Sequence, residues 1–332
     1  MTKIGVLGTT SWGTTLAILA AQKKLDVCLW SRTEQEANQL QIDGANKRFF
    51  PNSPFPPNLR IEPSTLSAVS DAEVVILAVP SNTLRTNLKA IKSSLKKSTV
   101  IVSATKGLEQ NSGKRMSEII HEETDGYCEV EICVLSGPNL ASEIMEGKPT
   151  STVVASSNQR VSKKVQDLLI SEKFRVYTNK DIISVEYGGA LKNIIAIGAG
   201  VCDGLRLGDN AKAGFMTRGL AEITRLAVAA GAEPLTLSGL SGMGDLIATC
   251  SSNLSRNHFV GRELARGKTL AEIQSSMENV AEGINTTSAA ITLSNRLGVE
   301  MPITTVTYKV LFEKMPVHQA IKELMDRDPT PE

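Results

Sequence analysis

The sequence predicts a doubly wound α/β domain over residues 1–181, followed by an all-α domain over residues 182–332. In the first half, short β-branched-rich apolar runs alternate with amphipathic stretches, the pattern of a parallel sheet wrapped by helices. From Ile182 onward the rhythm changes to long helical patterns without a convincing strand. Length agrees, because 332 residues exceed one typical core and imply two domains.

Ile4–Leu7, Val27–Trp30, Val74–Val79, Val100–Ser103, Cys133–Leu135 and Thr152–Ala155 read as strands buried on both faces. Leu16, Leu19 and Ala20 share one helical face, as do Leu84, Leu88, Ile91 and Leu95. Residues 46–63, with five prolines, interrupt this rhythm and read as a long loop. In the second half Asn210–Arg225, Arg256–Arg266, Leu270–Met277 and Thr286–Leu297 are helical, and Pro302 suits a helix first turn. The polar tail, residues 326–332, is expected to fray.

Composition narrows the function. Hydrophobic residues at 41% and charged residues at 21% exclude bulk disorder. A formal charge of +1 provides no field to gather nucleic acid or an anionic membrane, so an anionic ligand must be held locally. The longest apolar stretch, Ile194–Cys202, falls well short of the roughly 20 residues of a spanning helix. The N-terminus enters a strand without a signal-peptide layout. A cytoplasmic protein without stable membrane insertion is expected. Five scattered cysteines form no CxxC pair and read as reduced thiols, while three distant histidines form no ligand set, so no metal is expected.

Gly8-Thr9-Thr10-Ser11-Trp12-Gly13 lies between the first strand and the first helix. A dinucleotide binds at such a junction because the helix N-terminus offers free N–H groups and partial positive charge to the pyrophosphate. In the usual GxGxxG pattern the middle glycine lets the backbone approach the phosphates, and here Thr10 stands in its place. Its Cβ either pushes the cofactor back or is offset by a hydrogen bond from its hydroxyl. After the second strand, Trp30-Ser31-Arg32-Thr33 carries no acid before Glu34, whereas NAD enzymes usually place one there for the ribose 2′-hydroxyl. Arg32 is suited to a 2′-phosphate, or is a solvated surface arginine. NADP (as NADPH) is favoured and NAD stays open.

The glycine loop is followed in order by Ala104-Thr-Lys-Gly107, Ser136-Gly-Pro138, Ala190-Leu-Lys-Asn193, Gly242-Met-Gly-Asp-Leu246, Ser255-Arg-Asn257 and Ala281-Glu-Gly283. Together these motifs resemble the bacterial NAD(P)-dependent sn-glycerol-3-phosphate dehydrogenase family, from Lys3 to about Leu324. The resemblance implies a Rossmann-like domain and a helical domain of the 6-phosphogluconate dehydrogenase C-terminal-like kind, with the active site in the cleft between them. It implies reversible NAD(P)H-dependent reduction of dihydroxyacetone phosphate to sn-glycerol 3-phosphate, which supplies glycerophospholipid synthesis. By the same resemblance Ser11, Trp12, Arg32, Lys106, Ala141, Arg256, Val280 and Glu282 contact the cofactor. Lys106, Gly137, Asn139, Lys192, Asp245, Ser255, Arg256 and Asn257 match substrate-holding positions, and Lys192, Lys106 and Asp245 match the catalytic group. The departures are Thr10 and the pair Asn139-Leu140, where the family often has Ser or Thr followed by a polar or aromatic residue.

The residues suit that chemistry. A ketone reduced by hydride transfer takes a proton on its oxygen, and a lysine supplies it if desolvation or another cation lowers its pKa. Lys192 lies in a stretch poor in other charges, where an unpaired lysine is costly and points to function; it also reads as a lysine snorkelling from a helix edge. Lys106 is suited to polarise the same carbonyl and help lower the pKa of Lys192, or is a solvated turn lysine. Ser255-Arg256-Asn257 precede a helix and suit a phosphate, or form a plain capping segment. Asp245 orients a substrate hydroxyl or Lys192, or caps the following turn, with Thr249 at i+4 on the same face.

Two rivals keep the fold. A β-hydroxyacid or ketopantoate-type dehydrogenase needs a carboxylate anchor instead of the phosphate cradle. A non-catalytic nucleotide sensor takes its support from Thr10. The partner is a small molecule, and a homodimer is one assembly the sequence permits.

Overall fold

The computed structural model describes residues 2–277 and 279–328, so residues 329–332 of the expected fraying tail lie outside the described residues. The chain divides into two compact units: residues up to Lys106 with Arg115–Val185, and Gly107–Lys114 with the chain from Glu186 onward. The eight residues 107–114 are claimed by the second unit, where Arg296 Nη1 donates to Ser112 O at 3.1 Å.

The first unit holds eight strands: β1 Lys3–Leu7, β2 Asp26–Trp30, β3 Leu59–Glu62, β4 Val74–Leu77, β5 Val100–Ser103, β6 Glu131–Ser136, β7 Thr150–Ala155 and β8 Phe174–Asn179. They form one sheet in the order β3-β2-β1-β4-β5-β6-β7-β8. Its helices are α1 Ser11–Gln22, α2 Glu34–Asp43, α3 Thr65–Val69, α4 Leu84–Ile91, α5 Met116–Thr124, α6 Ala141–Met145 and α7 Gln159–Leu169. Strand order reverses between β1 and β4, which opens a crevice at their carboxyl ends. Leu16, Ala17 and Ala20 of α1 pack on Ile4, Val6, Val27 and Leu29. On another layer Leu84, Leu88 and Ile91 of α4 join Ile119 and Ile120 of α5 against Leu77 and Ile101. The central strands are therefore buried on both sides, which is why they read as continuous apolar runs.

The sheet departs from the sequence reading in three places. β3 lies inside the proline-rich stretch taken for a loop, and β8 had no counterpart among the expected strands. Both are edge strands with alternating burial: Leu59 and Ile61 face in beside exposed Arg60, and Phe174 and Val176 face in beside exposed Arg175. Alternation over so few residues gives a weaker signal than a buried run. The third departure is that β7 pairs antiparallel to β6, so the sheet is not wholly parallel. The intervening α6 has only five residues. It rises about 7.5 Å, too little to carry the chain back along a strand of about 20 Å.

The second unit is helical: α8 Ile182–Gly204, which starts in the first unit, then α9 Asp209–Ala229, α10 Pro234–Leu237, α11 Asp245–Ser251, α12 Arg256–Ala265, α13 Leu270–Ser275, α14 Glu282–Leu297, α15 Pro302–Phe312 and α16 Val317–Met325. By length and composition α8 could cross a membrane, which corrects the reading that no segment approaches that length. Glu186, Lys192 and a pair of glycines break its apolar run in the sequence but not its helix. Of the apolar window, 78% is buried inside the protein. Gly261 of α12 makes this possible, since a Cβ there would fall 1.8 Å from Ile197 O. Glu222 of α9, also buried, accepts from the backbone N–H of Ile303 and Thr304 at 2.8 Å each and so closes the first turn of α15. Burial pushes its carboxyl above the usual range, against the opposing effect of those bonds.

All five cysteines are free thiols. Burial pushes Cys28, Cys133 and Cys250 up to about 12. At pH 8 their thiolate fraction is therefore minute, and the thiolate is the reactive form. Iodoacetamide at pH 8 should label half-buried Cys128 first and leave these three unmodified until denaturant is added, as read by peptide mass spectrometry. Early modification of Cys133 would show that its strand opens in the native protein.

Candidate active site

In the first unit the β1–α1 turn is shaped for a dinucleotide. Gly8 has φ +114° and Gly13 sits so close to it that a Cβ on Gly13 would lie 2.0 Å from Gly8 O. Thr10, in place of the middle glycine, is the N-cap of α1: its Oγ1 accepts from Gly13 N at 3.1 Å and donates to Ala78 O at 3.0 Å. The hydroxyl is thus engaged in holding the helix start to the end of β4, so it has no proton left for a phosphate. Asn46 Nδ2, from the proline-rich stretch, donates to Thr9 O at 3.0 Å and Thr14 Oγ1 at 2.8 Å and braces the turn. The amides of Ser11 and Trp12 have no acceptor among the described residues, as expected of a helix N-terminus. Trp12 Nε1 is buried without a hydrogen-bond partner among the described residues. A pyrophosphate and its ribose would satisfy these donors, so the residues present fit a dinucleotide.

Lys106 follows β5 and Gly137 follows β6, and Lys106 Nζ donates to Gly137 O at 2.8 Å. Two sequence candidates thus meet at the carboxyl end of the sheet. Asn139 lies one turn on, where its Nδ2 donates to Ser151 O at 3.3 Å and its Oδ1 accepts from Thr152 Oγ1 at 2.9 Å. Its amide is engaged with β7. Ala141 opens α6, and Arg32 stands exposed beyond β2.

The second unit holds the other candidates. Lys192 on α8 is buried, and its Nζ donates to Asp245 Oδ1 at 2.6 Å and to Thr249 Oγ1 at 2.5 Å. The expectation of an unpaired lysine is therefore corrected, because its counter-charge arrives from α11, 53 residues away in the chain. Burying an ammonium alone costs several kcal/mol, and the ion pair with good hydrogen-bond geometry offsets that cost. Asp245 is 1% exposed and opens α11, with its carboxylate on Lys192. An ammonium has three N–H donors. Two are used here, and the third has no acceptor among the described residues.

Next to Lys192, Asn193 Oδ1 accepts from Asn257 Nδ2 at 2.9 Å, and Asn257 Oδ1 accepts from Gly283 N at 2.9 Å. Asn257 thereby ties α8, α12 and the start of α14 together, and Arg256 is held beside it in the chain. Ser255 is the N-cap of α12, its Oγ accepting from His258 N at 3.2 Å. Arg256 is exposed, yet desolvation holds its pKa below the usual arginine range, opposed by the Glu282 carboxylate. It lies at the start of α12, where an anionic ligand can reach it. Glu282 opens α14, and Val280 is exposed before it.

One residue escaped the sequence reading. Thr33-x-x-Glu36 has the spacing of a capping box, and Thr33 Oγ1 does accept from Glu36 N at 3.2 Å. The Glu36 carboxylate does not return to the cap. It accepts instead from Thr9 Oγ1 at 2.6 Å and Ser31 Oγ at 2.8 Å. The capping signature was visible, whereas the contact with the glycine loop required the fold.

Comparison with known proteins identifies the family. Sequence models described as the N-terminus and the C-terminus of NAD-dependent glycerol-3-phosphate dehydrogenase match residues 3–162 and 181–322. A protein named glycerol-3-phosphate dehydrogenase [NAD(P)+] from Dehalococcoides mccartyi is 49% identical over 100% of this chain and 93% of its own length. One of the same name from Chlorobium phaeobacteroides is 47% identical over 99% of both. The crystal structure of glycerol-3-phosphate dehydrogenase from Coxiella burnetii superposes with a TM-score of 0.94 at 36% identity, covering 98% of this chain and 99% of that one. A ketopantoate reductase from Ralstonia eutropha, at a TM-score of 0.60 and 16% identity over 97% of this chain and 99% of its own, shares the fold alone.

Proposed function

The chain belongs to the NAD-dependent glycerol-3-phosphate dehydrogenase family, and from that premise we propose that it interconverts dihydroxyacetone phosphate and sn-glycerol 3-phosphate with NADPH or NADH. The observation that carries this reading is the buried Lys192 ammonium, held by two acceptors with one donor left over. When bound, the reduced nicotinamide supplies the hydride to the carbonyl carbon. Lys192 gives a proton from Nζ to the carbonyl oxygen, and takes it back in the reverse direction. Asp245 and Thr249 aim Nζ, and the Asp245 carboxylate neutralises its charge in the buried setting. Lys106, braced on Gly137, draws charge onto the carbonyl oxygen. Ser255, Arg256 and Asn257 form the phosphate end of the site, with the Arg256 fork on the phosphate oxygens and the two neighbours setting its position.

Ser11 and Trp12 meet the pyrophosphate at the start of α1, and Arg32 offers a cation to a 2′-phosphate. Ala141, Val280 and Glu282 complete the cofactor contacts, while Gly137 and Asn139 border the substrate. The protein acts in the cytoplasm as a homodimer without membrane insertion, and its product becomes the backbone of glycerophospholipids. The burial of α8 supports the last-named absence, and exposed Leu205, Leu207 and Val228 of the second unit supply apolar surface for a partner copy.

Absorbance at 340 nm tests the reaction. Dihydroxyacetone phosphate should drive oxidation of NADPH and of NADH, and ketopantoate should drive neither. Failure with the triose phosphate and both cofactors would overturn the assignment. Arg256→Ala should raise the apparent KM for dihydroxyacetone phosphate about tenfold or more, the worth of a charge-assisted hydrogen bond. An unchanged KM would remove Arg256 from the phosphate end.

A further inference from the structure

Arg32 favours NADPH, yet its chain neighbour Ser31 holds an acid. The Glu36 carboxylate is fixed between Thr9, in the turn after β1, and Ser31, directly after β2. In a dinucleotide-binding domain the adenosine ribose lies against the ends of these two strands, where an acidic side chain accepts from its 2′-hydroxyl. Such an acid usually stands at the end of β2. In this chain that position holds Ser31-Arg32, and the carboxylate comes back to it from the first turn of α2.

We propose that Glu36 is a specificity-determining residue that accepts a hydrogen bond from the ribose 2′-hydroxyl of NADH and works against the 2′-phosphate of NADPH. The proposal rests on the family's dinucleotide being bound at this turn, as inferred above. Two physical effects act together. The first is charge: a 2′-phosphate would bring about two negative charges beside a fixed carboxylate. The second is donor supply. Thr9 and Ser31 each have a single hydroxyl proton: that of Thr9 is directed at Glu36, and that of Ser31 has Glu36 Oε2 at 2.8 Å against the backbone oxygen of Thr33 at 3.4 Å. A 2′-phosphate would find only lone pairs on those hydroxyls, leaving Arg32 as the side-chain donor offered to it. Ser31 is fully buried, so its hydroxyl is not free to turn to solvent. Arg32 is exposed and has no ion-pair partner among the described residues. The chain thus sets one attracting and one repelling group on the same 2′-substituent, and use of both cofactors follows from their balance.

Glu36→Gln keeps the side-chain length, removes the charge and frees one hydroxyl proton; Glu36→Ser removes the reach as well. Isothermal titration of NADH and NADPH into each purified full-length variant, without substrate, gives the two dissociation constants directly. The ratio Kd(NADPH)/Kd(NADH) should fall about tenfold in both variants, through tighter NADPH and weaker NADH. A ratio within threefold of the wild-type value in the folded variants, or one that rises, would overturn the role. Wild-type protein that binds neither cofactor would remove the dinucleotide reading itself, a failure distinct from an unmoved ratio.

Discussion

Lys192→Ala should lower kcat for dihydroxyacetone phosphate reduction at least about a hundredfold, the loss expected when a positioned proton donor is removed. The cofactor dissociation constants should stay near their wild-type values, because the groups offered to the dinucleotide in the first unit are untouched. Folding should also survive. Stability should nevertheless fall, because the substitution leaves the buried Asp245 carboxylate without its cation, so circular dichroism should accompany the turnover measurement to show that the variant is folded. Stopped-flow and steady-state absorbance at 340 nm separate the chemical step from product release. Turnover within a few-fold of wild type would mean that another group protonates the substrate oxygen.

The second large effect is on stability. In Asp245→Ala the Lys192 ammonium, 6% exposed, would lose its counter-charge and keep only Thr249. Breaking one side of a buried pair typically costs about 3–5 kcal/mol, far more than a surface ion pair is worth. Urea unfolding followed by circular dichroism should show this as a lower midpoint for the second unit, and turnover should fall with it. The double variant Lys192→Met, Asp245→Leu supplies the control. Apolar groups of similar volume need no counter-charge, so most of the lost stability should return while activity stays absent. A single variant as stable as wild type would mean that water reaches the pair in solution. A double variant no more stable than Asp245→Ala would point to packing, not charge, as the source of the loss.

These two experiments draw on different amounts of sequence information. Lys192 was legible as a candidate because a lone cation in an apolar helix is costly and so conspicuous. Its partnership with Asp245 was legible only as an option, since a turn aspartate next to glycine reads equally well as a cap. Ser255 illustrates a dual outcome: the capping function is realised, with Oγ on His258 N, and it presents Arg256 at the start of α12 in doing so. Thr10 left two alternatives open, and the structure adds a third, a hydroxyl directed inward to hold α1 to the end of β4.

What the sequence by itself determined was the alternation of strand and helix, the place of the phosphate-binding turn and the change to an all-helical second half. Each is written in patterns that repeat within a dozen residues, and burial enforces them locally. Tertiary structure alone decided which way β7 runs, that Leu59–Glu62 pairs as an edge strand, that Asp245 reaches Lys192 and that Glu36 leaves its helix cap for Thr9 and Ser31. These outcomes depend on chain closure over tens of residues. The free energy of a buried charge or a strand edge is set by whatever the fold brings against it, and no local period in the sequence encodes that neighbour.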